Sequence, residues 1–457
     1  MRNRLKLLNL PKMNLERLKR FRQEAYQLLG QAKDATMDVM DAVLVTKSVD
    51  SFAELSLSPL FRRKFPSLYE AIEDVRPQRR GLMKLYIQQI HQNKDRDKDK
   101  KQRVILAGDH TAWSRLYAST LKDRTYEHGA KVISGKPITL GHGYSTIAWI
   151  PEISGSWALP LRHERITSHD SPLSKAAFGL RQVCHHLPLR PLSLWDSEYG
   201  CAPFLKLTAD IPADKIMRLR PNRCLWTAPP PTEAKKGRPR KHGEKFQLTD
   251  PETWPTPVEI LEIDDQKWGK IEIKHWTNLH FREAADFPMD IILIQRKGMK
   301  LSADAAKPIW LACQLEQMLP LEEVWPLYQR RFNIDHWNRF AKQRLHWTLP
   351  KLSTPSQGQS WSDLMPLLTW QLWLAREIVV DNPLPWQKLL PQDSLTPGRV
   401  AQAFAGVLAV IGTPACSPKP RGKSNGWPKG QKRTPKIHYP VVKKRYSPPP
   451  KSKKTTS

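Results

Sequence analysis

The 457-residue chain has five cysteines (Cys184, Cys201, Cys224, Cys313 and Cys416), with no Cys-x-x-Cys pair and no Cys/His metal spacing. That pattern speaks against a zinc site, and the thiols read instead as small buried hydrophobes. No apolar run approaches the roughly 18 residues a membrane span needs. No signal-peptide pattern opens the chain, so a cytoplasmic protein without a membrane partner is expected. Acidic residues are scarce too: 44 Asp and Glu stand against 74 Lys and Arg, a formal net charge of +30. A surplus of that size points to a polyanionic partner, and nucleic acid is the first candidate.

What is present divides the chain by pattern. Residues 1–92 carry apolar positions at helical spacing, such as Phe21, Ala25, Leu28 and Leu29 and then Met37, Met40 and Leu44, and predict a small helical domain. Its basic clusters (Arg17 to Arg20, Arg62 to Lys64, Arg79-Arg80) read either as DNA contacts or as a charged outer face. Residues 93–103 lack any apolar side chain and predict a solvated linker.

Over residues 104–225 the pattern turns to strands: Val104-Ile-Leu-Ala-Gly-Asp109, Ile138 to Ile150, and Trp157 to Arg162. A helix over Pro172 to His186 follows, with proline in its first turn. Next come a strand Leu192-Ser-Leu-Trp-Asp196, a short helix around Ala202 to Leu207 and a strand over Ile216 to Leu219. This order gives an α/β sheet with Asp109 and Asp196 at strand ends. Residues 226–315 read as a polar, β-rich insertion. Residues 316–350 hold a closing helix, and residues 351–413 carry two more buried helices. Residues 414–457 contain no acidic residue and predict a disordered cationic tail.

The closing segment, Leu321 to Trp347, reads as one long helix containing Tyr328-x2-Arg331-x3-Asp335-x6-Lys342. At roughly 100° per residue these four side chains share one stripe, with a carboxylate between two cations. An Asp flanked that way stays ionised and suits a metal, while the cations suit phosphate. A solvated helix held by i,i+4 pairs is the competing reading. If the sheet brings Asp109 and Asp196 to one edge and this helix crosses it, three carboxylates converge into a site for Mg²⁺ or Mn²⁺. Two such ions about 4 Å apart serve in-line attack on phosphorus. Each Asp alone is equally an Asx turn or an N-cap.

In these residues the chain resembles the DDE insertion-sequence transposases, in the group whose signature is Tyr-x2-Arg-x3-Glu-x6-Lys. The likeness spans roughly Val104 to Trp347. Asp109 in Leu-Ala-Gly-Asp-His-Thr matches the first-strand aspartate and Asp196 in Leu-Trp-Asp-Ser-Glu-Tyr-Gly the second. Tyr328, Arg331, Asp335 and Lys342 match the final signature, with Asp335 where the group has Glu, a side chain reaching about 1.5 Å less far.

The resemblance implies an RNase H-like, retroviral-integrase-like core with a β-rich insertion, flanked by helical N- and C-terminal segments. It implies Asp109, Asp196 and Asp335 as catalytic metal ligands for two Mg²⁺ or Mn²⁺ ions, and Tyr328, Arg331 and Lys342 as DNA contacts. Double-stranded DNA, both terminal repeats and target, would be the partner. A homodimer or larger assembly would join two ends, in the nucleoid of a prokaryote. A catalytically silent DNA-binding descendant and an RNase H-like nuclease are the rival expectations. Separately, Lys236-Gly-Arg238-Pro-Arg240-Lys241 resembles the core of an AT-hook, which adds Arg238 and Arg240 as candidate minor-groove contacts, against a plain cationic loop.

Overall fold

The computed structural model describes residues 12–94, 103–133, 136–230, 240–265, 269–297, 307–420, 426, 428–432 and 434–444. Four N-terminal helices come first: α1 (Lys12–Leu28), α2 (Lys33–Val45), α3 (Pro66–Asp74) and α4 (Arg79–Lys94). The sheet region follows with β1 (Ile105–Ser114), β2 (Thr125–Ile133), β3 (Lys136–Trp149), β4 (Leu159–Ile166), α5 (Pro172–Cys184), β5 (Leu192–Trp195), α6 (Ala202–Leu207) and β6 (Asp214–Leu219). Then come β7 (Cys224–Trp226), β8 (Lys245–Gln247), β9 (Glu259–Asp265), β10 (Gly269–Leu279), β11 (Met289–Arg296) and β12 (Ile309–Gln314). Helices α7 (Leu321–Gln329), α8 (Phe332–Gln343), α9 (Pro355–Ala375) and α10 (Pro397–Ile411) close the fold.

One ten-stranded mixed sheet runs β2-β3-β1-β5-β6-β12-β11-β10-β9, with β4 added on β3. Its centre is parallel, β1 on β5 and β5 on β6, and the remaining pairs are antiparallel. This mixed α/β architecture is consistent with the expected RNase H-like class.

The 226–315 stretch does not stand apart as an insertion. Through β12 pairing β6 it extends the main sheet by four strands, and only β7 and β8 form a separate small sheet. A pairing between strands some ninety positions apart leaves no local pattern, whereas the Val/Ile/Leu alternation of each strand does.

Helix α9 is buried on nearly every side from Ser360 to Ala375, as its all-round apolar sequence requires. It starts with a Thr354/Gln357 capping box. The N-terminal helices pack onto it rather than forming a detached domain. Arg22 donates to Gln371, Arg79 reaches Asp363 (2.8 Å), and Asn14 donates to Glu377 just beyond α9 (2.8 Å).

The N-terminal basic clusters are therefore partly spent inside the molecule. Arg17 bonds Gln89, Arg62 and Arg63 pair with Asp38, and Arg79 with Asp363. Buried carboxylates on neighbouring helices need these partners. The described part of the 414–457 tail also departs from expectation: residues 439–444 lie along the sheet, with Val442 bridged to Thr125 and Lys444 paired to Glu127 at 2.7 Å. Unpaired backbone at the β2 edge and a buried Glu127 supply the reason. Cys184, Cys201 and Cys313 are buried as expected, Cys224 is half-buried and Cys416 is exposed.

Candidate active site

Parallel pairing of β1 with β5 sets the site. Gly108 lies opposite Trp195 in the register, so the residues that follow them, Asp109 and Asp196, emerge side by side from neighbouring strands, roughly 5 Å apart in backbone spacing. Gly108 is required there, since a Cβ would run into the Trp195 indole. The Asp196 Oδ1 accepts from the Glu198 N–H at 3.0 Å, an Asx turn that aims the carboxylate.

The closing segment is two helices rather than one. Backbone bonds Arg330→Leu327 and Arg331→Tyr328, then Asn333→Arg330 and Ile334→Arg331, tighten the chain to a three-residue step between α7 and α8. Arg330 is buried at this break, donating to the Ile150 carbonyl at 2.9 Å. Arg331, at the start of α8, nevertheless keeps the i,i+4 spacing to Asp335 and pairs with it.

Tyr328, on α7, is only 1% exposed and donates to the Trp195 carbonyl at 3.2 Å. Burial pushes its phenol up to about 12. It braces the strand that ends in Asp196 and does not face solvent, so a direct DNA contact does not suit it.

Asp335, in the first turn of α8, accepts from Arg331 at 2.9 Å, and its side chain is 40% exposed. Asp109 is 8% exposed. Burial first, then the charges of Asp335 and Asp196, push its carboxyl up to about 8, against the pull of Arg331 and the His110 N–H. Arg331 lies at the hub. Burial works against its charge, yet Tyr328, Asp335, Asp109 and Asp196 hold its pKa above the ordinary value. Lys342 reaches β1 through Thr111 Oγ1 at 2.6 Å. Arg240 is exposed on the strand β7 to β8 connection, and Arg238 lies outside the described residues.

Sequence reasoning missed one neighbour of consequence. Asn338 donates to Asp109 Oδ2 at 2.9 Å, while its own Oδ1 is buried with no hydrogen bond. Its position three residues after Asp335, on the same helix face, was the available signal. Tyr199, buried and 3.2 Å from His110 Nδ1, was missed too, and the Asp196-x-x-Tyr199 turn carries it.

An open cleft of about 700 Å³ lies over this sheet edge, lined by Asp109, His110, Asp196, Glu198, Arg220 and Lys342 among others. Asp335 and Arg331 are not part of its lining. Among the described residues no three His, Cys, Asp or Glu side chains gather closely enough to hold a metal ion. The donor set nevertheless fits a hard cation: adjacent carboxylates on Asp109 and Asp196, with the unbonded amide oxygen of Asn338 beside them.

A mixed α/β sheet delivering paired carboxylates to an open cleft defines a nuclease-like enzyme class. Comparison with protein families makes this particular: residues 24–279, more than half of the chain, match the DDE superfamily endonuclease, and the chain belongs to that family. Such enzymes are nucleases or transposases that act on DNA and generally use divalent metal ions. The match takes in Asp109 and Asp196 and ends before Tyr328, Arg331, Asp335 and Lys342. No curated protein matches the chain. Among the described residues no helix is long and apolar enough to cross a membrane.

Proposed function

We propose that the chain is a DNA transposase that cuts at its element's terminal repeats and joins the 3′-hydroxyl ends to target DNA. The observation that carries this reading is the emergence of Asp109 and Asp196 side by side where the parallel pairing of β1 and β5 ends, in a chain that belongs to the DDE superfamily endonuclease family. Asp109 and Asp196 would hold Mg²⁺ or Mn²⁺, two ions in all, and Asp335 would complete the set on leaving Arg331. Bound ions would activate a water or 3′-hydroxyl and stabilise the leaving oxygen.

The chain's own groups do the rest. Arg331, released from Asp335, and Lys342 hold phosphates through charge-assisted bonds, while Tyr328 fixes the backbone that presents Asp196. Arg238 and Arg240 add contacts to the duplex, and two protomers bring two ends together. The ion pair that occupies Asp335 favours one rival, a silent DNA-binding descendant.

The test is cleavage of labelled DNA carrying the element's terminal repeat, with Mg²⁺ or Mn²⁺, in wild type, Asp109→Ala, Asp335→Ala and Asp335→Glu. Loss in both alanine variants supports the reading. Intact cleavage in Asp335→Ala removes that residue from it, and activity in Asp335→Glu alone marks a decayed enzyme. Cleavage without joined products indicates a nuclease.

A further inference from the structure

The cleft does not stop at Ser114 and Thr348. Both residues also line a second groove of about 480 Å³, so the two spaces adjoin. One wall of this groove is the β1–β2 connection from Arg115 to Leu121, another is the stretch Thr348 to Ser353 after α8, and the third is Lys436. Arg115, Lys351 and Lys436 line it, and no acidic side chain does.

The Arg115 guanidinium donates to the Leu352 carbonyl at 3.0 Å and so ties two walls together. Lys351 and Lys436 are exposed. The wall carrying Lys436 is anchored: Tyr439 N–H donates to Ser119 (2.9 Å), Val442 N–H to Arg124 (2.8 Å), and Lys444 pairs with Glu127. At the lip stands Tyr117, 96% exposed.

An aromatic ring left that far in water has apolar area to offer a partner. Cations spaced along an acid-free groove match a phosphate backbone, and a base presents a π-face whatever its identity. Bases stacked inside a duplex do not offer that face.

We propose that this groove seats the DNA strand running on from the cleaved phosphodiester, with its phosphates against Lys351 and Lys436 and one unpaired base stacked on Tyr117. The proposal rests on the cleft being where DNA is cut.

The test uses the full chain in EDTA, so that binding is read without cleavage. The probes are a blunt duplex of mixed sequence and the same duplex with a single-stranded 3′ overhang containing 2-aminopurine. The overhang probe should bind about five-fold or more tighter, with its fluorescence quenched. Tyr117→Ala should abolish both effects and Tyr117→Trp should keep them. Lys351→Ala and Lys436→Ala should each lower the slope of log affinity against log salt by about 1.

Equal wild-type affinity for the two probes, or a quench that survives Tyr117→Ala, overturns the groove. No binding of either probe overturns the groove and the DNA reading beneath it. Groove effects in a chain that fails to cleave with Mg²⁺ support the groove and count against the transposase alone.

Discussion

The two wings of the ten-stranded sheet differ in pairing and in what they bury: the wing from β2 to β6 contains the parallel pairs, and the β12 to β9 wing is antiparallel throughout. On the wing from β2 to β6 the buried residues include Asp109, Glu127, His142, His163, Ser193, Asp214 and Lys215. On the β12 to β9 wing they are almost wholly apolar: Ile271, Ile273, Ile291 to Ile294 and Leu311, with His275 the polar exception. There Trp276 and Trp310, joined by Phe246 and Trp254, form an aromatic cluster with ring centroids 5.2 to 6.2 Å apart. Charge that a site needs is costly to bury, and every buried carboxyl on the first wing displaces apolar area. The second wing supplies dry packing that the first gives up.

The largest effect expected from this contrast is on activity. Asp109→Asn should lower cleavage by about 10³-fold, the upper end for losing one preorganised electrostatic group, while leaving the melting temperature unchanged or higher, because a buried carboxyl crowded by two others is removed. A fall in melting temperature would mean that Asp109 serves the fold as well as the chemistry.

Next in size, Trp276→Ala should cost about 3–5 kcal/mol in a denaturant titration and leave DNA affinity per folded molecule unaltered. Weakened affinity at full folding would show that the second wing takes part in function.

The last effect, a slope rather than a single loss, separates the wings by pH. His163 is fully buried between Tyr144, Trp337 and Trp347, and burial, with Lys342 adding to it, holds its imidazole down at about 3. Unfolded, the same ring takes a proton near pH 6.5. The unfolded state therefore binds the extra proton between these values, so this contribution is complete above about pH 6.5 and is lost as pH falls towards 3. His163→Gln should flatten the acid limb of stability against pH by up to about 1.4 kcal/mol per unit. An unchanged slope would place the acid sensitivity elsewhere.

How much of this was legible in the sequence follows from the range of the forces involved. β1 and β5 announce themselves as apolar runs before Asp109 and Asp196, and α5 and α6 by spacing and proline placement, because those signals are local; that β1 continues past Asp109 to Ser114, paired with β3, was not legible. β2 escaped, since Thr125 to Ile133 mixes Glu127, His128, Gly129 and Lys131 into a strand near the sheet's edge. The break at Arg330 and Arg331 escaped too, although Pro326 inside α7 interrupts the helical pattern a turn before it, and Arg330 there donates to the Ile150 carbonyl, far away in sequence. Lys444 looked like one more solvated cation until Glu127 was seen buried beside it. At the candidate site, side-chain partnerships were not legible, as the Arg331–Asp335 pair and the Asn338–Asp109 bond show.

The placement of Arg331 has a consequence for how such a protein is born. Burial and the charges of Asp335 and Asp196 oppose ionisation of Asp109, and the Arg331 guanidinium from the same chain pulls the other way. Counter-charge supplied from within the chain contrasts with small domains whose folding is metal-driven. Under the proposed function, a cation arriving at Asp335 would have to compete with the Arg331 guanidinium already paired there.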